Sequence, residues 1–170
     1  LWKTCISAVI SPSHFLSSDC WHDISFKVSP FSKYPKQIPQ TNFSSFYSEL
    51  PLYIIVLNYN NYLDTISCIE SLNRVKYDNH KVVIVDNDSK NDSYKILKNY
   101  FKDIKIIKNE CNSGYAGGNN LGIKYAINKS ADILCILNND TEIIEDFLTP
   151  LVERLVNNSY IGFIGPKNSK

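Results

Sequence analysis

Asn138-Asn139-Asp140-Thr141 sets two amides, a carboxylate and a hydroxyl at the end of an apolar run, Ile133-Leu134-Cys135-Ile136-Leu137. A short apolar run bounded by polar residues reads as a strand buried on both faces. In open parallel sheets, ligands bind outside the carboxyl ends of the strands. A single Asp among neutral oxygen donors suits a hard divalent cation that already carries phosphate oxygens, so Asp140 is the candidate metal ligand. The same residues also read as a turn in which Asp140 or Thr141 caps the next helix. Three other apolar runs end in the same way. One ends at Asn58-Tyr59-Asn60, one at Asp86-Asn87-Asp88, and one in a stretch holding Gly114, Gly117, Gly118, Asn119 and Asn120. Any one of these is ordinary turn composition; four in succession point to one crevice.

The side chains suggest what the crevice would hold. Tyr59 offers a flat face on which a base could stack, and Asp86 can accept a hydrogen bond from a base imide or a ribose hydroxyl. Gly114, Gly117 and Gly118 allow close backbone approach, and a helix expected to start near Asn119 turns free N–H groups toward phosphate. The glycine spacing is not the dinucleotide fingerprint and follows the third strand, and no Gly-Lys-Ser/Thr phosphate loop occurs. What remains is a nucleoside diphosphate carrying a transferable group.

These residues need elements to position them. From Pro51 onward, apolar runs at 52–57, 81–85, 104–107, 133–137 and 161–164 read as strands. Helical spacing separates them: Leu63, Ile66, Ile69 and Leu72; Ile96, Leu97, Tyr100 and Phe101; Ile123, Ala126 and Ile127; Leu148, Leu151, Val152, Leu155 and Val156. Glu70 and Arg74 form an i, i+4 pair on the first helix. Pro150 belongs in or just before the first turn of the last, with Glu142, Glu145 and Asp146 complementing its dipole. Alternating strands and helices with short connections predict a doubly wound α/β sheet, largely parallel, with helices on both faces. Residues 1–50 differ: Pro12, Pro30, Pro35 and Pro39 interrupt a Ser- and aromatic-rich stretch without sustained period. An irregular leader, its aromatics packed on the domain behind it, is expected.

Composition narrows the function. The 44% apolar and 21% charged residues are those of a soluble globular domain. A net charge of +1 without a basic stripe argues against a dedicated nucleic-acid binder. Five cysteines form no zinc spacing and no disulfide framework, which fits a reducing compartment, and Cys68 and Cys135 fall in apolar patterns. No window is long enough to span a membrane, and the first ten residues do not make a signal peptide. The chain contains no Met and starts at Leu1, which reads as a fragment or a non-standard start.

The segments Ile54-Ile55-Val56-Leu57-Asn58-Tyr59-Asn60, Val83-Ile84-Val85-Asp86-Asn87-Asp88-Ser89, Asn112 to Gly122 and Leu137-Asn138-Asn139-Asp140-Thr141 together resemble family 2 glycosyltransferases. Within that family they are most similar to the rhamnosyltransferase-like enzymes of bacterial surface polysaccharide assembly. The resemblance covers about residues 51–170 and leaves the leader outside. It implies a GT-A (Rossmann-like) fold, of which this chain is the nucleotide-binding half, and a nucleotide-diphosphate sugar donor, rhamnose being one candidate sugar. It implies Mg²⁺ or Mn²⁺, a glycan or lipid-linked acceptor, and inversion at the anomeric carbon. Under it, Tyr59 and Asp86 hold the base, and Asn119 and Asn120 line the nucleotide pocket. Asn138-Asn139-Asp140 then stands where the family has its DxD motif. Asn138 replaces the first Asp, leaving metal binding to Asp140. The family's catalytic base lies in its carboxyl-terminal half, here expected beyond Lys170, so none is assigned, and the chain is expected to be truncated. Cytoplasmic placement, peripheral at the inner membrane face, is the matching expectation. The rival reading is a non-catalytic nucleotide-binding remnant. A nucleotidyltransferase would need a Gly-rich, Arg/Lys-bearing loop after the first strand, which 58–62 lacks.

Overall fold

The computed structural model describes residues 6–10, 49–158 and 160–165. Six strands form one sheet: β1 (Ile6–Ile10), β2 (Leu52–Asn58), β3 (His80–Asp86), β4 (Lys105–Lys108), β5 (Ile133–Asn138) and β6 (Phe163–Ile164). Their order is β4-β3-β2-β5-β1-β6. The four strands β4, β3, β2 and β5 run parallel. Helices α1 (Tyr62–Ser71), α2 (Ser93–Tyr100), α3 (Gly114–Asn128) and α4 (Leu148–Val156) connect or follow them.

The alternation of side chains along a strand decides which helix covers which face. Leu52, Ile54 and Val56 pack with Cys68, Ile69, Leu97, Leu148, Val152 and Leu155 from α1, α2 and α4. Tyr53 and Ile55 point the other way, with Val83, Val85, Ile123 and Ala126, against α3. Helices therefore cover both faces, and the central strands can be apolar at every position. This is the mostly parallel α/β architecture the sequence predicts. Pro150 lies in the first turn of α4, where its missing N–H costs nothing.

Several expectations are corrected. The leader is not irregular throughout: Ile6–Ile10 pairs antiparallel with β5 and with β6, sealing the edge that β5 would otherwise expose. Five residues paired to a distant partner are too few to show a period of their own. The expected packing of leader aromatics such as Phe26 and Tyr34 lies outside the described residues. Helix α3 starts at Gly114, five residues before Asn119. Tyr100 is not on an inner face; it is 54% exposed and donates to Glu70 Oε1 at 2.5 Å. Arg74 likewise donates to the Ile143 carbonyl at 2.9 Å rather than serving Glu70. Leu63, expected inside, is exposed. Among the described residues, no helix is long and apolar enough to cross a membrane.

Candidate functional site

Strand register brings the polar ends together. Asn58 pairs with Asp86 across β2 and β3, and Leu57 with Asn138 across β2 and β5. Three of the four predicted strand ends thus stand side by side along one edge of the sheet, and the first turn of α3 supplies the fourth segment.

Hydrogen bonds, linked at two steps by the backbone between neighbouring residues, join them. Asn58 is fully buried; its amide donates to Asp86 Oδ2 at 2.7 Å and Ser89 Oγ at 3.1 Å, and its Oδ1 accepts from Thr65 Oγ1 at 2.9 Å. Asp86, also fully buried, accepts from the Ser89 backbone N–H at 3.1 Å and from Ser89 Oγ at 2.7 Å. Asn87 carries the chain of bonds to α3. Its amide donates to Asn112 Oδ1 at 3.0 Å and the Gly114 carbonyl at 3.1 Å, while its Oδ1 accepts from Asn109 at 2.9 Å. From α3, Tyr115 donates its hydroxyl proton to Asn138 Oδ1 at 2.9 Å. Asn139 then donates to Thr65 Oγ1 at 3.1 Å, returning to the partner of Asn58 and closing the ring.

This network gives Asn58, Asp86 and Asn87 a structural task beside the binding roles expected from the sequence. They are buried and engaged with protein groups, so they position the loops rather than face solvent. A buried carboxylate is tolerated only when its oxygens are so occupied. The rim of the crevice falls to other residues. Tyr59 is 43% exposed, and Asn60, Gly114, Tyr115 and Asp140 are also exposed. Asn60 and Asp88 hold left-handed backbone (φ 58° and 62°), and Gly114 opens α3 at φ 72°. Non-glycine residues in that region are uncommon and cluster at functional sites. Asn60 is held there by accepting the Lys90 N–H at 2.7 Å and donating its own to Ser89 Oγ at 2.9 Å.

The glycines work differently from expected. Gly117 and Gly118 lie within α3, not in a loop ahead of it. A Cβ on Gly118 would come within 2.4 Å of Leu57 Cδ1 and 3.1 Å of Asn87 Cγ. Gly118 therefore lets α3 press onto β2 and the end of β3, and the first turn of the helix begins at Gly114, whose N–H donates to Asn112 Oδ1 at 2.9 Å. Asn119 is buried, its amide donating to the Tyr115 carbonyl at 2.9 Å. Among the described residues, the Oδ1 atoms of Asn119 and Asn120 and Thr141 Oγ1 are buried without a partner. A buried acceptor left unmade costs about 1–3 kcal/mol, so these oxygens are candidates for a ligand's N–H or O–H groups.

Sequence reasoning missed Thr65, Ser89, Asn109 and Tyr115. Ser89 and Tyr115 lay inside recognised segments, whereas Thr65 sits mid-helix and carried no signal. The catalytic base expected beyond Lys170 falls outside the described residues, as does Lys170 itself.

No group of three or more His, Cys, Asp or Glu among the described residues could hold a metal ion. Asp140 is an exposed carboxylate at the crevice rim, and the neighbouring Asn138 oxygen is taken by Tyr115. Such a donor set fits a hard cation only when phosphate oxygens and water complete its shell. Cys68 is buried, and its thiol is pushed up to about 12, mainly by burial and less by the charge on Asp140, against the pull of the Thr141 N–H. As for the helix after this turn, neither Asp140 nor Thr141 caps it. Phe147 stands at the N-cap; Asp146 before it accepts from the Leu148 N–H at 3.2 Å, and Glu142 and Glu145 lie further upstream.

A doubly wound sheet whose polar strand ends meet a helix N-terminus is the α/β arrangement in which ligands bind outside the carboxyl ends of the strands. Residues 53–168 match the model of Glycosyl transferase family 2, and the chain belongs to that family. It is 27% identical over 131 residues to a UDP-N-acetylglucosamine–dolichyl-phosphate N-acetylglucosaminyltransferase from Methanococcus voltae, covering 68% of this chain and 51% of that protein. It is similar in structure to S. aureus TarS residues 1–349 in complex with UDP (TM-score 0.53, 22% identity, 62% of this chain and 32% of that one). It is also similar to the mannosyltransferase PcManGT from Pyrobaculum calidifontis in complex with GDP-Man and Mn²⁺ (TM-score 0.54, 16% identity, 79% and 36%). These likenesses show the GT-A fold. The chain spans about half the length of the archaeal relative and about a third of each solved chain.

Proposed function

We propose that this chain is the donor-binding part of a glycosyltransferase that takes a sugar from a nucleotide-diphosphate donor. The observation that carries this reading is the ring of hydrogen bonds, completed through neighbouring residues of the backbone, that ties four segments together. In this reading Tyr59 stacks the base, and Asn119 and Asn120 turn their unpartnered oxygens to the nucleotide. The turn beginning at Gly114 receives the diphosphate. Asp140 holds a Mg²⁺ or Mn²⁺ ion shared with the diphosphate. Asn138 and Asn139 orient Asp140 through Tyr115 and Thr65. Asn58, Asp86, Asn87 and Asn60 keep the strand-end loops in place. The bound cation would neutralise charge on the departing diphosphate; the chain's own residues align the donor.

The finer parts of the proposal are inversion, a catalytic base carried beyond Lys170, a glycan or lipid-linked acceptor, and a site at the cytoplasmic membrane surface. The rhamnosyltransferase-like resemblance makes rhamnose one candidate, but the named relatives handle N-acetylglucosamine and mannose, so UDP-N-acetylglucosamine and GDP-mannose head the donor panel. The test is thermal denaturation with UDP or GDP, with and without Mn²⁺. At a hundredfold excess over Kd, a ligand stabilises by about 2.7 kcal/mol. The nucleotide with Mn²⁺ should raise Tm, and Asp140→Ala should remove the metal-dependent part while leaving the unliganded Tm unchanged. No shift with either nucleotide sinks the reading.

A further inference from the structure

At the opposite end of the strands lies a second concavity of about 500 Å³, lined among others by Tyr53, Lys81, Asp103, Lys105, Tyr125 and Lys129. Tyr53 and Lys81 stand near the amino ends of β2 and β3, Lys105 begins β4, and Lys129 caps the carboxyl end of α3. The crevice is at the other end of the same strands, about 20 Å away for a seven-residue strand. The groove therefore belongs to a different part of the molecule.

Its chemistry is also different. Three lysines and His80 line it with one carboxylate, in a chain whose formal net charge is only +1. Among the described residues none of the three lysines has an ion-pair partner. Lys81 Nζ instead lies 5.6 Å from the centroid of the Tyr53 ring, and Lys105 Nζ lies 5.5 Å from that of Tyr125. Cation–π contact steadies a lysine without neutralising it. Two charges are thus held beside the cavity and remain available to an anion. Tyr53 is buried and forms part of an apolar floor with Val83. An apolar floor with a few converging charged groups, at this volume, suits a ligand of small-molecule size.

We propose that this groove binds a phosphate ester, its phosphate bridging Lys81, Lys105 and Lys129. Nucleic acid is the weaker match, because the lysines ring one concavity and make no stripe along the chain. The phosphate could come from a soluble ester or from a lipid headgroup; the recognition chemistry is the same.

The test is a titration of the chain with inorganic tripolyphosphate, followed by amide chemical shifts, in EDTA so that no divalent ion serves the crevice. Shifts should appear at the starts of β3 and β4 and the end of α3, and weaken as ionic strength rises. The double variant Lys81→Gln/Lys105→Gln, both exposed positions, should keep its Tm and bind at least about tenfold more weakly, the equivalent of about 1.4 kcal/mol. Asp140→Ala should bind as the unaltered chain does. Sedimentation with phosphatidate vesicles separates the sources: vesicle binding lost in the double variant assigns a headgroup, and its absence beside tripolyphosphate binding assigns a soluble ester. No binding of either probe, an unchanged double variant, or shifts confined to 114–118 overturns the proposal.

Discussion

Asp86 and Asp140 are the two acidic residues expected in the crevice, and the structure separates what each does. Asp86 is fully buried and receives three hydrogen bonds from Asn58 and Ser89; Asp140 is exposed. Asp86→Ala should therefore destabilise the chain by about 2–4 kcal/mol, since it strands buried donors. Urea denaturation checks this, with Asp140→Ala as the neutral comparison. Two cysteines behave as buried hydrophobes. Burial pushes Cys135 up to about 12 and does the same to Cys68, each from an ordinary value of 9.0. A folded pKa raised above the unfolded one means stability fully present below about pH 9 and lost as pH climbs toward about 12. The fold should weaken over that window, and Cys135→Val should flatten the loss. Native-state alkylation at about pH 8 should label exposed Cys111 and spare Cys68 and Cys135.

Among the elements, α3 shows most clearly where sequence reading stops. The strands β2, β3 and β5 were legible because burial on both faces makes them continuous apolar runs. Their polar ends were legible because no core has use for Asn58, Asp86 or Asn138. The start of α3 was not. Gly114, Gly117 and Gly118 read as loop, because glycine disfavours a helix by about 1 kcal/mol per residue. Tertiary packing overrides that preference. A Cβ at Gly122 would lie 2.5 Å from Ile55 Cγ2 and 3.1 Å from Val85 Cγ2, both on fully buried, branched side chains. Gly122→Ala sets a helix-propensity gain of about 1 kcal/mol against overpacking that costs about 1–3 kcal/mol. The overpacking should win, and calorimetry should show a lower Tm, although the substitution favours an isolated helix.

For the whole molecule, the decisive feature is one no local pattern could reveal: the sheet is completed by a strand from far earlier in the chain. β5 carries Ile133, Leu134, Cys135, Ile136 and Leu137, with no charge or proline to discourage pairing. Left as an edge, such a strand is a template for another chain. The backbone of Ile6–Ile10 covers it, with Ile6 paired to Leu137 and Ile10 to Leu134, and itself pairs with β6. At the other edge β4 protects itself differently, with Lys105 and Lys108 flanking its two isoleucines. Removing residues 1–10 should therefore do more than shorten the chain. Light scattering after size exclusion should show concentration-dependent self-association, and urea denaturation should show lower stability. A charge placed on β5 to block that association would be buried and would unfold the core, since Cys135 and Leu137 are both closed off from solvent. The informative companion is therefore a peptide of residues 1–10 added in excess to the shortened chain. It offers the missing strand's backbone hydrogen bonds, so it should reduce self-association and recover part of the lost stability. The same peptide carrying Val9→Pro lacks a donor opposite Cys135 and should do neither. A shortened chain that stays monomeric and equally stable would show that β5 has no need of the cover.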